Sequence, residues 1–124
     1  MSRQTILVVE DSADILMFIK MLLEMKGYRV VEATNGQEAI KRALKELPHL
    51  ILMDLSMPVM DGWEATRQLR LLEQMRGVPI VGLSAHCHDE PRKLALRAGC
   101  NDCISKPVDD QVLNTILSEF LPAL

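Results

Sequence analysis

The stretch from residue 50 to residue 62 constrains the fold of this chain more than any other. Its first four residues are apolar without interruption, and the fifth is Asp54. An unbroken apolar run of this length is typical of a strand buried on both faces, as in parallel sheets. Pro58 cannot continue a strand ladder, and Gly62 permits a turn that other residues resist. The pattern predicts a carboxylate held at the end of a rigid strand, which suits a group that reacts or binds a metal.

Strand-like and helical segments alternate along the whole chain, with short loops between them. The predicted strands cover residues 6–9, 29–33, 50–54, 78–83 and 102–105. The predicted helices cover residues 13–26, about 36–46 and about 63–74, followed by a helix that Asp89 caps and that ends before Gly99, and by a last helix that Asp109 or Asp110 opens and that extends to Leu121. This alternation predicts one α/β domain over residues 1–124 with a doubly wound, five-stranded parallel sheet. Because the second and fifth strands are the most polar, we place them at the edges, in the order 2-1-3-4-5 of a flavodoxin-like (βα)5 three-layer sandwich.

Capping residues and apolar spacing fix the details of the predicted helices. Gly27 is expected just past the end of the first helix, and Asn35 and Asp89 are expected to cap the second and fourth helices. The predicted inward-facing residues of the first two helices are Ile15, Ile19, Leu22, Leu23, Ala39, Ile40, Ala43 and Leu44. Met17 and Met21 fall beside the polar stripe of the first helix, either partly buried under a loop or forming a soft docking surface.

Composition excludes several classes of function. With 14 basic and 17 acidic residues and a net charge of −3, the chain has no basic excess for non-specific nucleic-acid binding. No apolar run of about 18 residues and no signal peptide occur, so we predict a cytoplasmic protein without a membrane segment. Three cysteines cannot all pair, which fits a reducing compartment. We predict a structural role for Cys100 and Cys103 and a solvated loop at Cys87.

Chemically distinctive residues stand at four of the five predicted strand ends. Glu10 and Asp11 follow the first strand, Asp54 ends the third, and Ser84 and Lys106 follow the fourth and fifth. Because these ends share one edge of a parallel sheet, we expect the five residues to converge in one cleft. Oxygen-only ligands favour Mg²⁺, with Mn²⁺ as the alternative. A metal there would draw in a phosphoryl donor, which the Asp54 carboxylate could attack in line while Lys106 and Ser84 hold phosphoryl oxygens.

These residues resemble those of the response-regulator receiver domains of two-component signalling. The matching segments are Val9-Glu10-Asp11, residues 54–62, Ser84-Ala85 and Lys106-Pro107. The resemblance implies a phosphorylatable Asp54 and a Mg²⁺ ion held by Asp11, Asp54 and the Ser56 carbonyl, with Glu10 acting through water. It also implies a Lys106 ion pair with the phosphoryl group, a cis Lys106–Pro107 peptide, and a Ser84 hydroxyl that swings toward the phosphoryl group.

The resemblance further implies the partners. The phosphoryl donor would be a phosphohistidine on a histidine kinase or a histidine phosphotransfer domain, whose helical bundle commonly meets the first helix. The receiver would catalyse its own phosphorylation and dephosphorylation. Since the last helix uses up nearly all of the chain, we predict a stand-alone receiver without an output module, the alternative being a piece of a longer regulator or hybrid kinase. Its output would pass to a further protein, with no role for nucleic acid or membrane.

One position departs from the family pattern. Three residues before the lysine, receivers usually carry an aromatic residue or histidine that turns inward when the hydroxyl moves, and here Cys103 stands there. A cysteine is too small to fill or vacate the same volume, so we expect an altered switch. His86 and Ser56 each lie two positions beyond a site residue, and we expect them to tune the lifetime of the phosphoryl group.

The sequence fits three other classes of protein less well. An aspartate-phosphorylated phosphatase usually carries Asp-x-Asp at its nucleophile, whereas residues 54–56 are Asp-Leu-Ser. A flavin or nucleotide binder wants a glycine- or hydroxyl-rich first loop, whereas Glu10 and Asp11 repel phosphates unless a metal intervenes. A pseudo-receiver that only binds partners would have lost an acid or the lysine, and none is lost.

Overall fold

Five parallel strands form a single sheet in the order β2-β1-β3-β4-β5. The computed structural model describes residues 3–57 and 61–121, so the turn expected at Pro58 lies outside the described residues. The strands are β1 Thr5–Val9, β2 Arg29–Ala33, β3 Leu50–Asp54, β4 Ile80–Ser84 and β5 Asp102–Ser105. The predicted order and the polar edge strands are confirmed.

Each strand is followed by a helix, as expected. The helices are α1 Ala13–Met25, α2 Gly36–Glu46, α3 Gly62–Leu71, α4 Asp89–Ala98 and α5 Asp110–Phe120, with a short 3₁₀ turn at Glu73–Met75. Among the described residues, no helix combines the length and the apolar character that crossing a bilayer requires.

The sheet separates two apolar clusters, because successive strand residues point to opposite faces. One cluster joins alternate strand residues to α1 and α5, through Leu16, Ile19 and Leu23 of α1 and Leu113, Ile116 and Leu117 of α5. The other joins the remaining strand residues to α2, α3 and α4, through Ala39, Ala43, Ala65, Leu69 and Ala95. This arrangement confirms the doubly wound three-layer sandwich.

Several predicted helix details are confirmed and others are wrong. Gly27 follows α1 with φ +96°, and the Asn35 side chain accepts a hydrogen bond from the Glu38 amide at 2.9 Å. Ile15 and Leu44, expected in the core, are 39% and 41% exposed. In both helices the buried stripe is narrower than expected, because Leu16, Ile19 and Leu23 in α1 and small alanines in α2 face the sheet.

The end of α3 and the start of α4 also differ from expectation. The predicted helix to residue 74 ends at Leu71 and continues as the 3₁₀ turn. The predicted cap Asp89 is itself the first residue of α4, and the cap position is taken by His88, which makes no side-chain capping hydrogen bond. Asp89 has φ +51°, a left-handed conformation that a non-glycine residue rarely adopts.

The largest difference between the sequence predictions and the structure concerns Cys87. Cys87, expected in a solvated loop, is 5% exposed and forms a disulfide with Cys103 of β5. Cys100 is buried and free. Two of the three cysteines therefore pair, contrary to the all-reduced state that an odd number favoured. The pairing depends on how close the β4–α4 connection comes to β5, and the spacing of the cysteines in sequence does not show it.

Candidate metal centre at the carboxyl edge of the sheet

Three carboxylates meet where β1 and β3 end. Each of Glu10, Asp11 and Asp54 offers one oxygen, and these oxygens all lie within 4.8 Å of one another. Glu10 and Asp54 are each 1% exposed, whereas Asp11 is exposed. Their convergence follows from the register, since Val9 of β1 lies opposite Met53, the residue before Asp54.

Lys106 reaches the same cluster from the loop that follows the edge strand β5. Its Nζ lies 3.1 Å from Glu10 Oε1 and 3.4 Å from Asp54 Oδ2. The Lys106 amide donates a hydrogen bond of 2.8 Å to the Ser84 carbonyl, and the following peptide bond to Pro107 is cis. The loop after β5 thus holds the ammonium group over the acidic cluster.

Burial and mutual charge shift the pKa values at this cluster. Burial raises the pKa of Glu10, and the charge of Asp54 adds to that rise against the opposing effects of the Ser12 amide and Lys106. Burial alone would lower the pKa of Lys106, but the close contact with Glu10 and the charge of Asp54 raise it overall. Lys106 therefore supplies the positive charge that balances the two buried carboxylates of Glu10 and Asp54.

Local backbone contacts orient the two buried carboxylates. The Ser12 amide donates to Glu10 Oε2 at 3.2 Å, and the Ser56 amide donates to Asp54 Oδ1 at 3.0 Å. Gly62 packs directly under the Asp54 carbonyl, where an added Cβ would lie 2.0 Å from that oxygen. The sequence suggested Gly62 as a turn residue, but what the structure requires there is the absence of a side chain.

The donor set fits a hard divalent cation. Glu10 Oε1 is buried and, within the described part of the chain, has no hydrogen-bond partner of adequate geometry, so Lys106 at 3.1 Å serves it only as a countercharge. Three carboxylates at this spacing favour either proton uptake or a cation. All three side-chain ligands are oxygen atoms, and one of them is exposed to water. Such ligands suit Mg²⁺ or Mn²⁺ better than they suit zinc.

The remaining predicted site residues lie around this centre at different depths. Ser84 is half-buried at the end of β4, and its Oγ accepts a hydrogen bond from the His86 amide at 3.3 Å. Ser56 and His86 are exposed beside the cleft, as is Pro107. Cys103 lies below the cleft, buried in β5 and bonded to Cys87. The sequence placed Cys103 correctly on β5 but gave no sign of its bond to Cys87.

Fold and site together define a doubly wound α/β protein with an acidic cation site at the carboxyl edge of its sheet. A family model described as the response regulator receiver domain matches residues 6–118. The chain therefore belongs to the response regulator receiver domain family of two-component signalling. This membership decides against the phosphatase and the nucleotide binder as alternatives.

Relatives with solved structures or curated names agree with this family. The receiver domain of a sensor histidine kinase from Pseudomonas aeruginosa PAO1, solved with magnesium coordinated in its active site cleft, is 37% identical with a TM-score of 0.89, covering 98% of this chain and 100% of that one. Protein PilH of Pseudomonas aeruginosa is 32% identical over 94% of this chain and 96% of its own length. The sensor kinase/phosphatase CqsS of Vibrio cholerae is 42% identical over 87% of this chain, but the match covers only 16% of that protein.

Proposed function

We propose that this chain accepts a phosphoryl group on Asp54 and signals in its phosphorylated form. The observation that carries this proposal is the Asp54 carboxylate held beside two other acids and 3.4 Å from Lys106. One Asp54 oxygen accepts from the Ser56 amide, and the other, Oδ2, is paired with Lys106 at 3.4 Å, a contact that an incoming donor would replace. Membership of the receiver family and the magnesium in the cleft of the Pseudomonas kinase receiver support the same reading.

Each residue has a separable task in the transfer. Glu10, Asp11, Asp54 and the Ser56 carbonyl would hold Mg²⁺, which supplies charge neutralisation at the phosphoryl oxygens when bound. An Asp54 oxygen attacks phosphorus, the bond from phosphorus to the donor breaks, and the donor leaves with that electron pair. Lys106 then exchanges its contact with Asp54 for one with a phosphoryl oxygen, and the Ser84 hydroxyl donates to another. In this way the chain catalyses its own phosphorylation.

Acetyl phosphate tests the acceptor directly. The chain is incubated with acetyl phosphate and Mg²⁺, and its intact mass is measured. The wild type should gain one phosphoryl group, and Asp54→Asn should gain none because an amide is not a nucleophile here. Removal of Mg²⁺ with a chelator should abolish the gain in wild type. An unmodified wild type, as a pseudo-receiver would give, or a modified Asp54→Asn, would disprove the proposal.

The natural donor would be a phosphohistidine of a histidine kinase or a histidine phosphotransfer domain. An apolar groove of 480 Å³ opens between α1 and the loop after β5, and Ile15, Phe18 and Lys106 line it. Met17 and Met21 of α1 are 64% and 55% exposed. Glu10 and Lys106 line the groove, which therefore borders the Asp54 cleft, while Met17 and Met21 lie outside the groove on the exposed part of the same helix. A helical donor seated on α1 would bring its phosphohistidine to Asp54.

Two donors of different size test this docking surface. Met17→Gln together with Met21→Gln should slow transfer from a phosphorylated kinase or phosphotransfer domain while leaving acetyl phosphate transfer unchanged. Equal slowing with both donors would mean that the two methionines support the fold and do not take part in docking.

We also propose that the phosphorylated chain acts in the cytoplasm by contacting another protein, without nucleic acid or membrane.

His86 and Ser56 are exposed and lie two positions beyond Ser84 and Asp54, and we propose that they border the path of a hydrolytic water and so set the lifetime of the phosphoryl group. Replacing both with alanine should change the rate at which phosphorylated protein loses its label after the donor is removed. An unchanged rate would exclude this role.

A further inference from the structure

The β4–α4 connection is tied covalently to the edge strand. Cys87 of this connection is bonded to Cys103 of β5, with the two Cα atoms 5.5 Å apart and the two residues 16 positions apart in sequence. Both cysteines are buried and belong to the apolar cluster that faces α2, α3 and α4. The bond therefore lies inside the domain, on the side of the sheet that α4 covers.

The cross-link joins the two segments that carry Ser84 and Lys106. Cys87 lies three residues after Ser84, and Cys103 lies three residues before Lys106. The segments also touch directly, since the Lys106 amide donates to the Ser84 carbonyl at 2.8 Å and the Cys87 amide donates to Ser105 Oγ at 3.1 Å. The bond thus fixes the spacing of the two groups that would contact a phosphoryl group on Asp54.

The connection itself has weak non-covalent restraints. Ala85, His86 and His88 are exposed. His88 contributes no side-chain cap to α4, and the next residue, Asp89, has a left-handed backbone conformation that costs energy in a non-glycine residue. Without the covalent bond, this segment would be held mainly by a few hydrogen bonds and the contacts of α4.

We propose that Cys87 and Cys103 are a reversible redox pair whose oxidation restrains the Ser84-bearing connection and so opposes phosphorylation of Asp54. The coupling to Asp54 rests on the proposed function, whereas the redox pair does not. Ser84 Oγ accepts a hydrogen bond from the His86 amide, so a turn of Ser84 toward a phosphoryl group either breaks that bond or carries the segment that bears Cys87 with it. The disulfide resists that movement at Cys87.

The chemistry is thiol–disulfide exchange with a low-molecular-weight disulfide as oxidant. The Cys87 thiolate attacks one sulfur of that disulfide, forming a mixed disulfide and releasing one small thiol. Cys103 then loses its proton and attacks the Cys87 sulfur, forming the protein disulfide and releasing the second small thiol. Two electrons pass from the protein to the oxidant, and a small dithiol reverses the reaction.

Cys100 is the matched control within the same chain. It is buried and free, and its sulfur faces β4, 3.2 Å from where a Cβ on Gly82 would stand. Burial raises its pKa, and the disulfide of this protein joins Cys87 to Cys103 and leaves Cys100 out. We therefore expect Cys100 to stay outside the exchange.

The first experiment follows the bond without reference to phosphorylation. Protein treated with glutathione disulfide or with dithiothreitol is unfolded and alkylated, and its intact mass is measured. With three cysteines in the chain, the oxidised protein should take one alkyl group, on Cys100, and the reduced protein three. Cys100→Ser should still form the bond, and Cys87→Ser and Cys103→Ser should not. A protein that stays fully alkylatable after oxidation, or whose bond includes Cys100, overturns the redox pair.

The second experiment measures the coupling. Oxidised and reduced proteins are titrated with acetyl phosphate in the presence of Mg²⁺, and the phosphorylated fraction is read by mass. We expect the reduced form to reach the same fraction at about 2- to 30-fold less donor, the range typical of coupling through a packed network. Cys87→Ser should behave as the reduced form under both conditions. Equal titrations of the two redox forms overturn the coupling.

The two proposals fail in distinguishable ways. If neither redox form is phosphorylated, the function of Asp54 and the coupling both fall, while the alkylation experiment still decides the redox pair. If both forms are phosphorylated alike, the function of Asp54 stands and only the coupling falls. A qualitative cross-check follows, because a disulfide that opposes the phosphorylated conformation should be reduced more readily in phosphorylated than in unphosphorylated protein.

Discussion

The carboxyl edge of the sheet has two halves that are built differently. The acidic half, formed by Glu10, Asp11 and Asp54, follows β1 and β3, and neighbouring backbone amides orient its two buried carboxylates. The basic half, formed by Ser84 and Lys106, follows β4 and β5 and is held by contacts between segments distant in sequence, including the disulfide.

The difference separates a rigid half from an adjustable one. In the acidic half each orienting amide lies only two residues from the carboxylate it serves, so the geometry is local. In the basic half the groups depend on contacts between residues that lie 16 to 22 positions apart in sequence, and such contacts can be made or broken as units. We infer that metal binding uses the rigid half and that any conformational response begins in the adjustable half.

The largest expected effect comes from adding one methyl group to Gly62, which supports the acidic half, in comparison with one added to Gly82 of β4, the strand that ends in Ser84. A Cβ on Gly62 would lie 2.0 Å from the Asp54 carbonyl oxygen, a backbone atom that cannot yield, whereas a Cβ on Gly82 of β4 would meet the side chain of Leu55 at 2.8 Å. Gly62→Ala should destabilise the protein by about 3 kcal/mol or more and Gly82→Ala by about 1–2 kcal/mol.

Urea unfolding of the two glycine variants measures this order. If Gly62→Ala does not fold at all while Gly82→Ala unfolds cooperatively, Gly62→Ala is again the more destabilising of the two substitutions, as expected. Equal losses of stability would mean that the backbone of the acidic half yields as readily as a side chain, and the contrast between the halves would be lost.

The second-largest effect is expected from removing the positive charge of Lys106, which joins the acidic half to the basic half. Lys106→Met leaves Glu10 and Asp54 buried without their ammonium partner, and breaking a buried ion pair in this way costs several kcal/mol. Because the lysine side chain is 27% exposed, we expect a smaller loss of about 2–3 kcal/mol without metal. Mg²⁺ should restore more stability in the variant than it adds to wild type, because it replaces the missing charge.

Lys20→Met is the matched control for that variant. Lys20 pairs with Glu32 at 3.5 Å on the surface, with 35% and 44% of the side chains exposed, so its loss should cost less than about 1 kcal/mol. Its response to Mg²⁺ should equal that of wild type. Similar losses and Mg²⁺ responses in the two variants would refute the special role of Lys106.

The smallest expected effect is on the pH dependence of stability. Because the folded protein raises the pKa of Glu10, unfolding releases a proton between the ordinary glutamate pKa and the raised one. The contribution of Glu10 to metal-free stability is therefore greatest at low pH and falls as pH rises through that window. Urea unfolding across this range should show a shallower fall in Glu10→Gln than in wild type, and an unchanged slope would contradict the assignment.

The sequence anticipated the acidic half better than the basic half. The apolar run into Asp54 and the pair after β1 stand next to the residues that orient them, so a local pattern was enough. The strand order followed from which strands are polar. The inward faces of α1 and α2 were partly wrong, because periodicity gives a stripe but not its width, and Ile15 and Leu44 lie at its margin.

By itself the sequence determined the alternation of strands and helices, the parallel sheet and the residues that gather at its carboxyl edge. Each of these depends on side chains that act within one element or directly after it. Only the tertiary structure decided that Cys87 pairs with Cys103, that Gly62 supports Asp54 by close approach, and that Lys106 lies over both buried carboxylates. Those contacts join residues from different elements, and their distances are set by how the helices pack on the sheet.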